Sequence, residues 1–339
     1  MSIKLKNLAE QVIVITGATS GIGLTTARMA AGRGAKLVLA ARNEEALRKL
    51  TDEINAAGGQ AIYVAADVGR EGDVKKIAAE AIDKFENFDT WVNNAGVSIY
   101  GKFLDVPIED QRQLFETNYW GVVYGSFVAA KHLRLFGGAI INVGSTLSDR
   151  AIPLQGTYCA SKHAVKGFTD AFRMELESED APISVSLIKP AAIDTPYKDH
   201  ARNYLGVKAE NPPPVYAPET VAEAILHCAA RAERDVFVGG GAKGFSVLGT
   251  FAPRLSDKIM EKTMLGMQKT DEPSGQNPQE GLYESKDASM RERGGYDGHV
   301  MESSFYTKAS LHPALTGAAL LALGAGLGYT LLKRSQSEH

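Results

Sequence analysis

The sequence predicts an α/β fold in which helices cover both faces of a doubly wound, parallel, seven-stranded sheet. Two observations support this prediction. Short apolar runs alternate with helical patterns over the first 240 residues, which is typical of successive βαβ units. The apolar runs are nearly continuous rather than alternating, as expected for strands that are buried on both faces.

Seven stretches have the length and the apolar, β-branched composition of strands. We assign these strands to residues 12–16, 36–41, 61–66, 89–94, 139–145, 183–190 and 235–240. Helical patterns include residues 44–57, 72–85, 107–135 and about 157–179. The order of these elements predicts strands joined by crossover helices, which is the arrangement of a doubly wound sheet.

The overall composition fits a globular protein and excludes several functional classes. The 339 residues are 44% hydrophobic and 23% charged, enough for a sizeable core. A formal net charge of −3 gives no general attraction to nucleic acid. The two cysteines, Cys159 and Cys228, form no disulfide framework and suit a reducing compartment. The seven histidines lack metal-ligand spacing, so we expect no metal site.

A glycine-rich stretch, TGATSGIG at residues 16–23, separates the first predicted strand from the next helix. Gly17 allows a sharp turn, while Gly21 and Gly23 allow close approach of a pyrophosphate and of the strand. The N-terminus of a helix offers free N–H groups and partial positive charge to phosphates. Such a stretch can be a turn alone, but its strand–turn–helix context favours a dinucleotide site. Further contacts are expected from Thr19, Ser20 and Ile22.

The end of the second strand indicates which dinucleotide binds. An acidic residue there would hold the ribose 2′-hydroxyl of NAD, whereas an arginine accepts the 2′-phosphate of NADP. This chain has Ala41 followed by Arg42, which favours NADP over NAD, although a solvated loop arginine is the alternative. Asp67 and Val68 end the third strand and are placed to contact the adenine. Asp67 has a second interpretation as a helix N-cap.

The stretch TYCASK places Tyr158 four residues before Lys162. Residues four apart share one face of a helix, so the two side chains point into the same space. A nearby ammonium stabilises phenolate and is therefore expected to lower the pKa of Tyr158 towards neutrality. That change would suit general acid–base catalysis. An exposed tyrosine beside an exposed lysine is the alternative.

Two further polar residues fall where this pair could use them. Ser145 ends the fifth predicted strand, at the sheet edge that opens onto the ligand crevice, and its hydroxyl is placed to bind a carbonyl. Asn118 lies among apolar neighbours in the helix at 107–135. A buried amide there can hold a water for proton relay, or it can be purely structural.

These elements together resemble the short-chain dehydrogenase/reductase family. The resemblance covers about residues 8–240 and includes TGATSGIG, NNAG at 93–96, and YCASK. It implies a Rossmann fold, commonly as a dimer or tetramer, in which Lys162 also binds the nicotinamide ribose. The implied catalytic tetrad is Asn118, Ser145, Tyr158 and Lys162. The implied cofactor contacts outside the glycine-rich stretch are Arg42, Asp67, Val68, Asn94, Ala95, Gly96, Tyr158, Lys162, Pro190, Ile193 and Thr195.

One position departs from the family pattern. The family usually has Pro-Gly after the sixth strand, but this chain has Pro190 and Ala191. Ile193 and Thr195 still match the positions that contact nicotinamide, so we expect a small shift in cofactor geometry and retained activity. The family uses the segment at 191–216 as a lid over the substrate. Its mixed composition names no substrate beyond an aldehyde, ketone or secondary alcohol.

The chain divides into four predicted regions: a catalytic domain at 1–245, an amphipathic helix at 246–269, a flexible linker at 270–310 and a membrane-associated helix at 311–334. The amphipathic helix has apolar residues at helical spacing, which favours packing on the domain over lying at a membrane surface. The region 270–310 is rich in Gly, Ser, Pro and charged residues, so little apolar surface offsets the entropy of ordering it.

The C-terminal region contains an uncharged run at residues 314–332. As a helix it would be about 28 Å long, close to the ~30 Å hydrocarbon thickness of a bilayer. Gly324 and Gly328 give the spacing of helices that pack closely in lipid, and Lys333 and Arg334 follow the run. We favour a membrane anchor with the catalytic domain facing the cytoplasm. A small-residue helix buried in an oligomer is the alternative.

The sequence therefore predicts an NADP(H)-dependent oxidoreductase that interconverts an alcohol with an aldehyde or ketone, lipophilic ones included. The alternative from another class is an NADPH-binding regulator or scaffold tethered by its C-terminal helix. An intact set of tyrosine and lysine favours the enzyme, because a regulator has no need of both.

Overall fold

Seven strands within the described residues form one parallel sheet. The structure is a computed structural model that describes residues 3–275, 280–285, 289–312 and 316–317. The strands are β1 (Val12–Thr16), β2 (Lys36–Ala41), β3 (Gln60–Ala65), β4 (Thr90–Asn93), β5 (Gly138–Val143), β6 (Ile183–Pro190) and β7 (Asp235–Val238). They lie in the order β7-β6-β5-β4-β1-β2-β3, and every neighbouring pair is parallel. The predicted doubly wound α/β fold is confirmed.

Helices cover both faces of this sheet. They are α1 (Gly21–Gly32), α2 (Glu44–Ala56), α3 (Glu71–Phe85), α4 (Ile108–Phe115), α5 (Gly121–Phe136), α6 (Gly156–Ser178), α7 (Tyr197–His200), α8 (Pro218–Ala230), α9 (Gly240–Phe251), α10 (Pro253–Met267) and α11 (Phe305–Leu311). Ile13 and Ile15 of β1 pack against α1, α2 and α8, whereas Val12 and Val14 pack against α3, α5 and α6. Strand side chains alternate between the faces, so two apolar clusters form around one sheet.

The predicted strands begin and end within two residues of the observed ones. The helix predicted at 107–135 is helical from residue 108 to residue 136, but it contains a π-helical turn at Glu116–Trp120 between α4 and α5. Asn118 lies in this turn, with its side chain bound to the backbone of Val97. Single π-turns widen a helix locally and often occur at functional sites.

Short strands build the rim beyond the carboxyl edge of the sheet. Ile99–Tyr100 pairs with Arg202–Asn203, Val215–Tyr216 pairs with Ala192–Ile193 and with Val300–Met301, and Val207–Ala209 pairs with Lys269–Pro273. The predicted lid at 191–216 thus takes part in all four pairings, one of which joins two parts of the lid itself. Of the three partners outside the lid, two come from the C-terminal part of the chain.

The C-terminal part of the chain differs from the predicted linker. The described residues between 270 and 310 include two of those short strands and most of α11, and Leu282 is fully buried. The composition is polar, as the prediction noted, but the charged side chains pair with the domain: Arg293 contacts Glu219, and Arg202 contacts Glu280. These contacts order a segment that has few apolar residues. Met260 and Met264 of the preceding helix α10 are buried as well.

The predicted membrane helix at 311–334 lies outside the described residues, except for Leu311, His312, Thr316 and Gly317. Among the residues that the structure describes, no helix combines the length and the apolar character needed to cross a membrane.

Candidate active site

Two cavities adjoin at the carboxyl edge of the sheet, where parallel strands open onto a crevice. The outer cleft is lined by Gly17, Arg42 and Asp67, among others, and the inner pocket by Ser145 and Tyr158. The two cavities share one set of lining residues: Ile22, Asn94, Gly96, Thr195 and Tyr197. A ligand that fills the outer cleft therefore reaches the residues of the inner pocket.

The glycine-rich loop forms the floor of the outer cleft. Gly17 has a φ of +67°, and a Cβ there would lie 2.8 Å from Ala95 Cα, so a side chain is excluded. A Cβ on Gly23 would lie 2.1 Å from Gly17 O, because α1 packs directly on the loop. The Asn94 side chain donates to Thr16 O (2.9 Å) and Gly17 O (3.2 Å) and fastens the loop to the end of β4.

The far end of the outer cleft holds Arg42, Asp67 and Val68. Asp67 Oδ1 accepts a hydrogen bond from Gly69 N at 3.0 Å, and α3 begins only at Glu71. The alternative interpretation of Asp67 as an N-cap is therefore wrong. Burial lowers the pKa of the Arg42 guanidinium, while the charge of Asp67 opposes this effect.

Most of the predicted contacts line the two cavities. The outer cleft includes Gly17, Thr19, Ser20, Gly21, Ile22, Arg42, Asp67, Val68, Asn94, Ala95, Gly96 and Thr195. The inner pocket includes Ser145, Tyr158, Lys162, Pro190 and Ile193. Gly23 and Asn118 line neither cavity and lie behind the walls.

The inner pocket brings Tyr158 and Lys162 together on one face of α6. Lys162 Nζ lies 5.6 Å from the centre of the Tyr158 ring and donates to Val143 O at 2.8 Å. The predicted lowering of the tyrosine pKa is wrong for this arrangement, because burial raises the pKa of Tyr158 to about 12. Burial also lowers the pKa of Lys162 to about 8, so both side chains lose part of their tendency to be charged.

Hydrogen bonds partly offset the effect of burial on Tyr158. The neighbouring hydroxyls of Tyr197 and Ser145 both lower the pKa of the Tyr158 phenol. The Tyr197 ring lies 5.5 Å from the Tyr158 ring, edge to face, and its hydroxyl donates to Ser98 Oγ at 2.6 Å. Ser145 follows β5 and accepts from Leu147 N at 3.0 Å, which fixes the orientation of its side chain.

Asn118 supports the pocket from behind. Its amide accepts from Val97 N (2.8 Å) and donates to Val97 O (2.9 Å) and Ser161 Oγ (3.2 Å). These bonds match a structural role for the side chain, one of the two alternatives left by the sequence. A Cβ on Gly96 would lie 3.4 Å from Asn118 Oδ1 and 3.9 Å from Lys162 Nζ, so the glycine keeps this space open.

The departure at Ala191 is accommodated by a neighbouring glycine. Gly239 has a φ of +104°, and a Cβ there would lie 2.9 Å from the Ala191 methyl group. The extra methyl group at position 191 therefore occupies space that Gly239 leaves open. Ala191 lines the inner pocket without closing it.

The cavities have the features that a nicotinamide dinucleotide requires. A glycine cradle lies at the N-terminus of α1, where phosphates are favoured. Lys162 is fully enclosed, and among the described residues its ammonium donates one hydrogen bond, to Val143 O, out of the three it can make. Lys162 lines the inner pocket, and its remaining donors suit the hydroxyls of a ribose.

Sequence reasoning missed several residues of the site. Tyr100, Gln155, Tyr197 and Asn211 line the inner pocket, and Gly281 and Ser285 line the outer cleft. Tyr197 follows the predicted contact Thr195 closely in sequence, which was the one available signal. The other residues reach the site only through the tertiary fold.

A parallel sheet with a glycine cradle and a buried tyrosine–lysine pair at one edge is typical of dinucleotide-dependent oxidoreductases. Residues 11–205 match the family model described as short chain dehydrogenase. This match spans more than half of the chain. The chain therefore belongs to the short-chain dehydrogenase/reductase family, and it is an oxidoreductase.

Similar proteins and structures agree with this assignment. The chain is 50% identical to the uncharacterized oxidoreductase YxnA of Bacillus subtilis (strain 168) over 326 residues, which cover 95% of this chain and 91% of the relative. It is 33% identical to dehydrogenase/reductase SDR family member 7B of Bos taurus, over 74% of this chain and 80% of the relative.

Two solved structures share the fold. A short-chain dehydrogenase/reductase from Burkholderia phymatum in complex with NAD has a TM-score of 0.66 and 26% identity, and the match covers 75% of this chain and 96% of that one. An alcohol dehydrogenase from the archaeon Thermococcus sibiricus complexed with 5-hydroxy-NADP has a TM-score of 0.60 and 25% identity, covering 67% and 95%. The structural neighbours thus include complexes with either type of dinucleotide.

Proposed function

We propose that this oxidoreductase uses NADP(H) to interconvert a carbonyl compound and an alcohol, with Tyr158 exchanging the proton. The observation that carries the proposal is that Ser145, Tyr158 and Lys162 line one pocket, which adjoins the outer cleft. A bound nicotinamide dinucleotide supplies or accepts the hydride.

Each of the four predicted catalytic residues has a defined task in this proposal. Ser145 and Tyr158 bind the substrate oxygen, and Tyr158 gives it a proton during reduction. With a pKa of about 12, Tyr158 is protonated at neutral pH, as a proton donor must be. Lys162 holds the ribose and favours the phenolate that remains after transfer. Asn118 fixes the wall at Val97.

The preference for NADP rests on the end of β2. Ala41 lines the outer cleft where an acidic residue would select NAD, and the adjacent Arg42 carries positive charge. Three of the five N–H groups of this guanidinium donate to backbone carbonyls of residues 281–283. Among the contacts of the described residues, the other two stay available to a 2′-phosphate.

The substrate we propose is lipophilic. A third cavity, here called the apolar annex, adjoins the inner pocket and shares lining residues such as Leu147, Ile152 and Ala192 with it. Beyond the shared residues, the annex is lined by Pro213, Pro214, Gly241, the buried Met260 and Met264 of α10, and one charged side chain, Arg150. Methionine side chains adapt to apolar groups of varied shape. A carbonyl held at Tyr158 would place its hydrocarbon part in this annex.

The test is the oxidation of NADPH at 340 nm with a panel of ketones and aldehydes, repeated with NADH and with Tyr158→Phe. We expect turnover that favours NADPH, and loss of at least about 100-fold in kcat in the variant because the proton donor is gone. NADPH should still bind the variant nearly as tightly as it binds the wild type. Retained turnover in Tyr158→Phe would refute the mechanism, and NADPH binding without any turnover by the wild type would favour a regulator.

A further inference from the structure

Two parts of the C-terminal region border the outer cleft and its glycine-rich loop. Residues 280–285 contact the Arg42 end of the cleft, and residues 289–296 contact the glycine-rich loop and the wall near Asp194. We call these two parts together the clasp. Gly281 and Ser285 of the clasp line the cleft directly.

The first part of the clasp is held by one apolar and one charged anchor. Leu282 is fully buried in the apolar cluster that also contains Tyr158. The Arg42 guanidinium donates to the carbonyl oxygens of Gly281, Leu282 (3.4 Å) and Tyr283 (3.1 Å). The clasp is thus tied to the side chain that the sequence assigns to the 2′-phosphate.

The second part of the clasp is tied to the glycine-rich loop and to α1. Glu292 accepts hydrogen bonds from Thr25 Oγ1 (2.9 Å) and from the Arg28 guanidinium (2.5 Å). The carbonyl oxygen of Arg291 accepts from Gly21 N at 2.9 Å. Gly21 is the first residue of α1, so this contact lies at the helix end where phosphates are favoured.

A third contact ties the clasp to the wall shared by the two cavities. Asp194 Oδ1 accepts hydrogen bonds from the backbone N–H groups of Gly294 and Tyr296, both at 3.0 Å. The backbones are so close that a Cβ on Gly294 would lie 2.2 Å from Thr195 O. Thr195 lines both the outer cleft and the inner pocket.

A cleft remains beside these contacts. Gly281 and Ser285 of the clasp line it together with Arg42 and the glycine-rich loop, and it continues into the inner pocket. The clasp therefore lies where a roof over a bound ligand would lie.

We propose that the clasp is a part of the cofactor site that encloses the bound dinucleotide and sets its rate of release. Glu292 acts as a positioning residue, since it holds the clasp against α1. Release of the dinucleotide then requires the contacts to Arg42, Arg28 and Asp194 to open, as lid opening limits release in many enzymes. This inference rests on the dinucleotide binding of the proposed function.

The test is the rate of NADPH dissociation from Glu292→Ala, followed by stopped-flow fluorescence after mixing with excess NADP⁺. We expect dissociation about tenfold faster than in the wild type, because a hydrogen-bonded charge pair is lost. Glu53→Ala is the matched control: Glu53 binds the same Arg28, at 2.7 Å, from α2 and not from the clasp. Its dissociation rate should stay within about twofold of the wild type.

A second variant, Gly294→Ala, loosens the clasp at a different contact and should also speed release. Thermal melting of each variant checks that the domain is folded. Wild-type dissociation rates in both variants, or slower release and tighter binding, would overturn the clasp as a roof. A wild-type protein that binds no dinucleotide would overturn the proposed function itself.

Discussion

At the scale of single residues, burial decides the charge of the groups in the inner pocket. Burial raises the pKa of Tyr158 to about 12 and lowers the pKa of Lys162 to about 8. The two shifts have opposite directions because low dielectric disfavours each charged form, phenolate and ammonium. The phenolate is favoured by polar groups beside it, and the hydroxyls of Tyr197 and Ser145 are the groups that lower the pKa of Tyr158.

Replacing Tyr197 by Phe should move the pH dependence of the reaction. Alcohol oxidation requires the Tyr158 phenolate as the proton acceptor, so its rate rises as the pH rises towards the pKa of Tyr158. Tyr197→Phe removes a donor that stabilises this phenolate, so the rise should move upward by about one pH unit, equivalent to one hydrogen bond to a charged group. The pH profile of kcat/KM for alcohol oxidation measures the shift.

Tyr204→Phe is the control for this prediction. Its hydroxyl binds Asp110 and Arg202 and not Tyr158, so its pH profile should match that of the wild type. If kcat/KM of Tyr197→Phe falls by the same factor at every pH and its pH dependence does not shift, Tyr197 only supports the shape of the pocket.

The sequence carried local information about the catalytic residues but not about their electrostatics. The four-residue spacing of Tyr158 and Lys162 fixes a shared helix face, and this local relation was predictable. The direction of the tyrosine pKa shift depends on how completely the fold removes water, which no local pattern reports. Tyr197 and Tyr100 reach the same pocket from separate elements, so they too needed the tertiary structure.

At the scale of elements, the helices and strands after β7 contact the catalytic domain and line part of the apolar annex. The apolar runs of the sheet strands were predictable because each strand buries both faces. Composition predicted a flexible linker after residue 270. The described residues of this region are instead held by long-range polar contacts, such as those of Arg42 and Asp194, which composition does not reveal. Helix α10, in turn, gives Met260 and Met264 to the apolar annex.

The apolar annex predicts how the substrate preference depends on chain length. For a series of 2-alkanones, kcat/KM should rise about fourfold for each added CH₂ until the annex is full, which corresponds to ~0.8 kcal/mol per buried group. Met264→Gln places an amide in the annex wall and should flatten this rise while leaving the shortest ketones nearly unaffected. Steady-state kinetics with NADPH measure both effects.

Met267→Gln is the control on the same helix, since Met267 is 45% exposed and lies outside the annex lining. It should keep the wild-type dependence on chain length. Equal losses for short and long ketones in Met264→Gln would indicate damage to the catalytic pocket, and a flat dependence in the wild type would refute the annex as the substrate site.

At the scale of the whole molecule, the clasp ties the C-terminal region to the catalytic domain. The short strand Val300–Met301 pairs beside Val215–Tyr216 of the lid, and α11 packs on α8 and β7. The lid, the outer cleft and the C-terminal region are therefore connected by direct contacts. The domain boundary that the sequence predicted near residue 245 therefore lies between elements that contact each other, such as β7 and α11.

The uncharged run at 314–332 predicts that the whole protein associates with membranes. It follows α11, so an inserted helix would hold the catalytic domain near a bilayer, where lipophilic carbonyl compounds concentrate. We expect full-length protein in the membrane fraction, released by detergent and not by high salt, because burial of apolar surface is insensitive to charge screening.

Leu320→Lys with Leu321→Lys should move the protein to the soluble fraction, since charges at the centre of such a helix are costly. Ser335→Lys, beyond the run, is the control and should stay with the membranes. Full-length protein found wholly in the soluble fraction without detergent would end the anchor hypothesis and leave the proposed chemistry of the inner pocket unaffected.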